Sequence, residues 1–224
     1  MLVLAIDTAL NDCAAVLWRD GHVLARESAV MGQGHAEALM PMIERVMTAA
    51  NLTYDAIERI AVTCGPGSFT GVRIGIAAAR GLAVAIGCPA VGVTTCAALA
   101  AAVPADERAS GARVLAAVDS KRGDVFVQMF DANGHAISEI SGMAPDDVES
   151  FVGAGNLILV GDAAAVIRSH LGERARLSRA AAACDAAVVA AVVAGRKAPL
   201  DEATPVYVRP PDVTIDPTGG RLRP

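Results

Sequence analysis

The segment VLAIDTALNDCAAVLWRDGHVLARE, residues 3–27, returns in outline as VLAAVDSKRGDVFVQMFDANGHAISE, residues 114–139. Each copy is an apolar strand ending in an aspartate, Asp7 or Asp119, followed by a short polar turn, a second strand and a Gly-His turn. Chance similarity is the alternative, since strand-turn-strand units are common, but the shared VLA and Gly-His elements favour duplication. The repetition therefore predicts two related α/β lobes.

The boundary between the lobes is predicted in VPADERASGAR, residues 103–113, because this polar stretch carries proline, glycine and charge directly after a helical segment. We expect an N-terminal ribonuclease-H-like lobe over residues 1–103. A C-terminal, degenerate lobe is expected over residues 110–224, ending in an extended tail.

Local patterns predict the elements of the first half. Asp20-Gly21 is a two-residue hairpin signal that places a third strand at about residues 22–27. Apolar spacing predicts a helix over residues 35–50, with a kink or a late start at Pro41. A buried strand and a second helix follow, at about residues 57–65 and 69–86.

The second half is predicted to continue with a strand in NLILVGD, residues 156–162, which ends in Gly161-Asp162. Helices are expected over residues 163–171 and 181–195, since alanine and branched apolar residues dominate both stretches. The closing residues 204–224 are rich in proline and glycine, which indicates an extended end that lies along a partner or frays.

Composition limits the function classes. Of the 224 residues, 54% are hydrophobic and 19% charged, which is typical of a packed core rather than of a disordered chain. The net charge of −5, without a basic run, makes this chain alone a poor candidate for gripping a polyanion. The five cysteines show no CxxC spacing, which indicates buried free thiols in a reducing compartment. With no signal peptide or convincing span apparent, a cytoplasmic location without membrane contact is expected.

The stretch GPGSFTGVRIG, residues 65–75, fails both common phosphate-loop patterns. It has no lysine for a P-loop, and Thr70 stands where the third glycine of a dinucleotide fingerprint belongs. Ser68 and Thr70 are candidate N-caps for the following helix. A structural turn is favoured, while weak anion contact through Gly67 and Ser68 stays open.

The strand-ending aspartates raise a nucleotide hypothesis. In duplicated two-lobed ATPases of the actin and sugar-kinase type, comparable turns hold phosphates and magnesium and usually read D-x-G-[ST]. Here the turns read DTAL and DSKR, without the glycine that lets backbone N–H groups close on a phosphate. Asp7, Thr8 and Asp119 are therefore interpreted as vestigial phosphate or nucleotide contacts.

The helix predicted over residues 69–86 places Gly71, Gly75, Ala78, Ala79 and Leu82 on one face. Each interior glycine costs about 1 kcal/mol relative to alanine, so something gains from their small size. Packing on the chain's own sheet and a helix–helix interface with another subunit are both open. Arg73 and Arg80 lie on another face of this helix, where they could reach carboxylates or phosphates of a partner.

Metal chemistry finds little support in the histidine pattern. His35 and Glu37 form a His-x-Glu pair, but the HExxH and P-C-x-x-C partners that would complete known zinc sites are missing from the sequence. No metal site and no catalytic residue is predicted in this chain.

Four motifs carry a resemblance to a known family. LAIDTA (residues 4–9), GHAEALMPMIERVM (34–47), CGPGSFTGVRIGIAAARGLA (64–83) and TPVYVR (204–209) resemble the TsaB (YeaZ) family. That family supplies the accessory subunit of the bacterial machinery that makes threonylcarbamoyladenosine beside the tRNA anticodon. The resemblance is dense over roughly the first hundred residues and thinner thereafter.

This resemblance implies a two-lobed fold of the actin/Hsp70/sugar-kinase type and a non-catalytic, dimerising role beside a TsaD-type catalytic paralogue, with a TsaE-type ATPase docking on the pair. A metal-binding histidine pair of the catalytic relative is incomplete here, since Leu39 and Met40 stand where a second histidine would be needed. ATP or ADP and a divalent metal are expected in partner subunits, with none held tightly by this chain. Contact with tRNA is expected only through the complex, and a homodimer is expected when the chain is alone.

The family's interface helices correspond to residues 35–50 and 69–86. Carried over, the interface prediction comprises His35, Leu39, Met42, Ile43, Val46, Gly71, Arg73, Gly75, Ala78 and Leu82. The alternative is an independent small-molecule kinase or ATPase of the same fold that uses Asp7 and Asp119. A peptidase is a third reading, without a visible metal or nucleophile constellation.

Overall fold

The computed structural model describes residues 1–209. The strands are β1 (Leu2–Asp7), β2 (Asp12–Arg19), β3 (His22–Val30), β4 (Arg59–Thr63), β5 (Ala90–Val93), β6 (Arg113–Asp119), β7 (Val125–Phe130), β8 (Ser141–Met143), β9 (Leu157–Val160) and β10 (Ala175–Leu177). The helices are α1 (His35–Ala49), α2 (Phe69–Ile86), α3 (Thr95–Ala102), α4 (Ala105–Arg108), α5 (Val148–Val152), α6 (Ala164–Leu171) and α7 (Ala186–Gly195).

The strands form two five-stranded sheets with the same topology, in the orders β3-β2-β1-β4-β5 and β8-β7-β6-β9-β10. Along the chain, the first three strands of each sheet pair in antiparallel fashion. The fourth strand pairs in parallel with the first, and the fifth pairs in parallel with the fourth. The repetition read from the sequence thus corresponds to a repeated sheet. Asp7 and Asp119 are the last residues of the equivalent strands β1 and β6.

The helices form layers outside and between the sheets. α1 and α2 cover one face of the first sheet, and α5 and α6 cover one face of the second. Between the sheets, α3 from the first half packs on β6 and β7, while α7 from the second half packs on β1, β2, β4 and β5. The central core therefore joins apolar residues of both halves, including Val3, Ala61, Val114 and Ile158.

Several local predictions can be compared with this structure. The hairpin at Asp20-Gly21 is confirmed, with φ of 49° and 90°, the left-handed pair that this turn type requires. Ser68 rather than Thr70 caps α2, since its hydroxyl accepts a hydrogen bond from the Gly71 N–H at 3.2 Å. α1 begins at His35 and runs through Pro41, so the late start was wrong.

The start of α7 also differs from the prediction of a helix over 181–195. Asp185 fixes it, because the Asp185 carboxylate accepts a hydrogen bond from the Ala187 N–H at 2.9 Å. A side-chain acceptor at this position satisfies a backbone donor that the first helical turn leaves unpaired. The helix consequently begins at Ala186, and the residues before it form bends and turns.

The C-terminal segment, residues 201–209, runs from the first sheet to the second. The Gly92 N–H donates to the Asp201 carbonyl, and the Val206 N–H donates to the Cys64 carbonyl at 2.8 Å. Val208 then packs into the core between the sheets, and Arg209 pairs with Asp124. The remainder of the expected extended tail, residues 210–224, lies outside the described residues.

Candidate functional site: two strand-end turns and an exposed helix face

The first strand-end turn is buried. The Asp7 side chain is fully inaccessible to solvent, and its Oδ1 accepts hydrogen bonds from the Thr63 hydroxyl at 2.5 Å and the Ala9 N–H at 3.1 Å. Its Oδ2 has no hydrogen-bond partner among residues 1–209. Burial raises the pKa of Asp7 from its ordinary value of 3.8 to about 6, and the Thr63 hydrogen bond offsets part of the effect. Asp7 is thus a carboxylate held in the interior of the protein.

The loop at residues 65–68 and the start of α2 cover this turn. The Ser68 N–H donates to the Ala9 carbonyl at 2.7 Å, and a Cβ on Gly67 would lie 2.2 Å from that oxygen. A Cβ on Gly71 would lie 2.1 Å from the Thr8 carbonyl oxygen. Thr8 and Ala9 are consequently as inaccessible as Asp7. Gly67 and Gly71 of GPGSFTGVRIG thus make room for the chain's own turn.

Gly75 shows the same relation one helical turn later. A Cβ there would lie 2.5 Å from the Thr8 hydroxyl oxygen, which itself donates to the Gly71 carbonyl at 2.7 Å. Of the two explanations left open for the glycine face of α2, close packing on the chain's own sheet is therefore what the structure shows.

The second strand-end turn is open and holds a lysine. The Lys121 ammonium lies 3.1 Å from Asp119 Oδ2 and 3.2 Å from Asp162 Oδ2. Asp162 Oδ1 also accepts a hydrogen bond from the Asp119 N–H at 2.8 Å. Burial alone would raise the pKa of Asp119, but the hydrogen bonds from the Lys121 N–H and ammonium outweigh it and hold the pKa below its usual value. The Lys121 ammonium thus bridges the two carboxylates and offsets one of their two negative charges.

The predicted interface residues do not share one exposed surface, and their role in an interface stays a prediction. Seven are buried and face the chain's own sheet, since the apolar stripe of α1 and the glycine face of α2 both pack on the first sheet. They are His35, Leu39, Met42, Ile43, Val46, Gly71 and Gly75. Ala78 and Leu82 are half-buried, and Arg73 is exposed.

The exposed surface of α2 is a separate stripe of apolar and basic residues. It consists of Phe69, Arg73, Ala77, Arg80 and Val84. Val84 is 85% exposed and Phe69 is 49% exposed. By length and composition alone α2 would also qualify as a membrane span, a test that core helices pass too. The opposite face of α2 packs on the first sheet, whereas the stripe faces solvent, and its N-terminal residues Phe69 and Arg73 contact Tyr207.

A composite cluster forms at the N-terminal end of this stripe. The Arg73 guanidinium carbon lies 3.5 Å from the centre of the Phe69 ring and 5.4 Å from that of Tyr207. Arg73 Nε donates a hydrogen bond to the Tyr207 hydroxyl at 2.8 Å. Sequence reasoning missed Tyr207 because it lies 134 residues from Arg73. The signal that could have found it is the TPVYVR motif, whose aromatic residue sits in an otherwise aromatic-poor chain.

Reactive groups elsewhere are few. Within residues 1–209, no three His, Cys, Asp or Glu side chains converge as metal ligands would. Cys64, next to the covering loop, is buried, and burial raises the pKa of its thiol to about 11. A reactive cysteine needs the opposite change.

The comparisons with known proteins agree with this architecture. Residues 28–199 match the family model described as "TsaD: tRNA N6-adenosine threonylcarbamoyltransferase". The chain is 39% identical over 136 residues to the "tRNA threonylcarbamoyladenosine biosynthesis protein TsaB" of Escherichia coli, an alignment that covers 60% of this chain and 58% of that protein. The chain thus spans less than two thirds of the length of the curated relatives it matches.

Solved structures extend the similarity to the whole fold. The structure of YeaZ from Pseudomonas aeruginosa matches with a TM-score of 0.77 and 26% identity, over 92% of this chain and 99% of that one. The activator of 2-hydroxyisocaproyl-CoA dehydratase from Clostridium difficile matches with a TM-score of 0.53 and 12% identity, over 86% and 93% of the two chains, which shows the fold alone. The two-lobed α/β fold of the actin and sugar-kinase type is confirmed. The chain belongs to the family that the TsaD model describes, and groups there with the TsaB (YeaZ) proteins.

Proposed function

We propose that this chain acts in the biosynthesis of threonylcarbamoyladenosine in tRNA, as a non-catalytic subunit that supports a TsaD-type catalytic paralogue. The printed name of the Escherichia coli relative supports the pathway, and the match to the TsaD model supports kinship with the catalytic subunit. In this proposal a TsaE-type ATPase docks on the pair, in the cytoplasm, and the transferred group arrives on a threonylcarbamoyl-adenylate.

The main observation in favour of a non-catalytic role is the burial of the β1–β2 turn. A nucleotide gripped between two lobes would need the backbone N–H groups of the β1–β2 turn. Here the Ser68 N–H is bonded to the Ala9 carbonyl, and Thr8 and Ala9 are inaccessible. Opening this turn would require the loop at 65–68 and the start of α2 to move together. ATP or ADP and a divalent metal are therefore assigned to the partner subunits.

The second turn supports the same reading. Lys121 forms ion pairs with both Asp119 and Asp162. A divalent cation bound to these carboxylates would have to displace that ammonium group. The first aspartate is thus buried beneath the chain's own loop and the second is paired with a lysine, which disfavours the alternative of an independent kinase or ATPase.

The partner surface is proposed on the exposed sides of α1 and α2. The α2 stripe carries Arg73 and Arg80, and the exposed side of α1 carries Glu37 and Glu44, with the members of each pair seven positions apart. None of these four forms an ion pair with another residue in 1–209. Two helical turns separate each pair by about 10.5 Å. A paralogue or second copy of the same design could therefore set acidic groups opposite both guanidinium groups.

Contact with tRNA is assigned to the assembled complex. The net charge of −5 gives this chain little attraction for a polyanion, because nucleic-acid binding depends largely on neutralising phosphates. The exposed stripe is also mostly apolar, which suits protein contact better.

The proposal is tested by reconstituting modification from purified components, namely the catalytic paralogue, the TsaE-type ATPase, threonylcarbamoyl-adenylate and tRNA, with and without this chain. Modified tRNA is expected only when the chain is present, together with co-purification of the chain and the paralogue. Modification that proceeds equally well without the chain would refute the proposal.

Matched variants test the surface. Val84→Asp places a charge at the C-terminal end of the α2 stripe and should weaken binding to the paralogue by at least about tenfold. Val166→Asp, on α6 at 50% exposure, is the control and should bind normally. Equal binding by both variants would remove the α2 stripe from the interface. The ATPase alternative is tested by calorimetric titration of Mg-ATP, in which tight binding that Asp7→Ala abolishes would favour it.

A further inference from the structure

Arg73 has donor groups that are free to bind an oxyanion. It carries a positive charge, yet forms no ion pair with any residue in 1–209. Its Nε–H is used by the Tyr207 hydroxyl, so the two Nη groups remain as donors with no acceptor in the described chain. A guanidinium held in one orientation presents parallel donors that match the two oxygens of a carboxylate.

Two parts of the chain hold the Arg73 guanidinium, namely α2 and the C-terminal segment. Phe69, the first residue of α2, supports one face of the guanidinium at 3.5 Å, a cation–π contact. Tyr207 comes from the C-terminal segment and lies 5.7 Å from the Phe69 ring, centre to centre. Fixing a long arginine side chain before binding reduces the conformational entropy that binding must remove.

Tyr207 is itself anchored on both sides. Val206 donates its N–H to the Cys64 carbonyl and packs against the core of the first sheet. Val208 packs into the core between the sheets. Tyr207 nevertheless remains 47% exposed, and Phe69 49% exposed. Large aromatic side chains that stay exposed beside an unpaired arginine have the composition of an interface hot spot.

We propose that Phe69, Arg73 and Tyr207 form a receptor for a carboxylate side chain of the protein that docks on the α2 stripe, with Tyr207 as the positioning residue for Arg73. This inference rests on the proposed function, because the docking protein is taken to be the catalytic paralogue. A protein carboxylate is favoured over a phosphate of RNA, since the receptor continues into the apolar residues Ala77 and Val84 of the same stripe.

The proposal couples the C-terminal segment to partner affinity. If Tyr207 holds the guanidinium in place, removing only its hydroxyl should loosen Arg73 while the ring still covers it. Tyr207→Phe should therefore weaken binding less than a change of Arg73 itself. The two effects should not add, because both act through the same contact.

The test is a titration of the full-length paralogue with the full-length chain at low and high salt. Arg73→Lys keeps the charge but removes the bidentate fork, and should weaken binding about tenfold. Tyr207→Phe should weaken it about threefold. Arg168→Lys, at an exposed position on α6, is the matched control and should bind like the unmodified protein. Arg73→Gln should also flatten the salt dependence of the affinity, which a purely structural role would not change.

The outcomes separate the two proposals. Normal binding by Arg73→Lys, alongside weakened binding by Val84→Asp, would overturn the receptor and leave the proposed function intact. An unmodified chain that fails to bind the paralogue would overturn both. If Arg73→Lys alters binding of tRNA to the isolated chain while binding of the paralogue is unchanged, the carboxylate assignment is wrong.

Discussion

Asp7 and Asp119 end equivalent strands of the two sheets, but the chain treats them in opposite ways. Asp7 is sealed under the loop at 65–68 with one oxygen unpartnered, and burial raises its pKa to about 6. Asp119 lies at an open turn, where the Lys121 N–H and ammonium hold its pKa below the usual value. The comparison teaches that equivalent carboxylates can occupy very different surroundings. Burial beneath a loop shields Asp7 from ligands, whereas an ion pair with Lys121 occupies Asp119.

Gly71→Ala should produce the largest change in stability, because it disrupts the packing of α2 over the β1–β2 turn. The new Cβ would lie 2.1 Å from the Thr8 carbonyl oxygen, and a backbone atom cannot rotate away as a side chain can. We expect a loss of about 3 kcal/mol in the free energy of unfolding, at the upper end of overpacking effects. Urea denaturation followed by circular dichroism measures it.

Gly81 provides the matched control for that substitution. It lies in the same helix, but no atom lies within 4 Å of a Cβ built there. Gly81→Ala should therefore stabilise the protein by up to about 1 kcal/mol, the helix propensity difference. Equal destabilisation by both alanines would mean that helix geometry, rather than contact with the turn, requires glycine at position 71.

Asp7→Asn tests the electrostatic side of the comparison. Because the pKa of Asp7 is raised in the folded state, its stabilising contribution is fully present below pH 3.8 and is lost as the pH rises through about 6. That difference in pKa corresponds to up to about 3 kcal/mol. The stability of the variant relative to the unmodified protein should rise between pH 4 and pH 8. Chemical denaturation across this range measures the change, and a constant difference would contradict the raised pKa.

Lys121→Met should have the smallest effect. The variant removes the cation between Asp119 and Asp162, but the lysine side chain is 57% exposed, so solvent screens the interaction. A loss of less than about 1 kcal/mol at neutral pH is expected, and 1 M salt should shrink it further.

The pH dependence at this turn should have the opposite sign to that at Asp7. The lowered pKa of Asp119 makes its contribution present at neutral pH and lost as the pH falls through that pKa. Asp119→Asn should therefore lose its effect on stability in acid, where Asp7→Asn should be most costly. The same sign for both variants would erase the contrast between the turns.

The sequence predicted those features that depend on residues close to one another along the chain. The Asp20-Gly21 hairpin, the Ser68 cap and the span of α2 all follow from local patterns, and the duplicated units appear as duplicated sheets. It was less successful in assigning what each helix face contacts. A stripe of small residues shows that something approaches closely, but spacing does not say whether that is the β1–β2 turn or another protein.

The exposed cluster was out of reach for a related reason. Arg73 and Tyr207 meet through the path of the C-terminal segment across both sheets, and no periodic pattern links positions so far apart. The apolar spacing predicted α1 as a helix, but the stripe was assigned to a partner. In the structure it packs on the first sheet.

The exchange of α3 and α7 between the two sheets has a consequence for synthesis. A nascent chain that has emerged as far as the polar boundary contains every strand of the first sheet. One face of that sheet remains uncovered until α7, residues 186–195, has left the ribosome. The two halves therefore share one core, and we expect fragments cut at the boundary to reach their native form only when they associate.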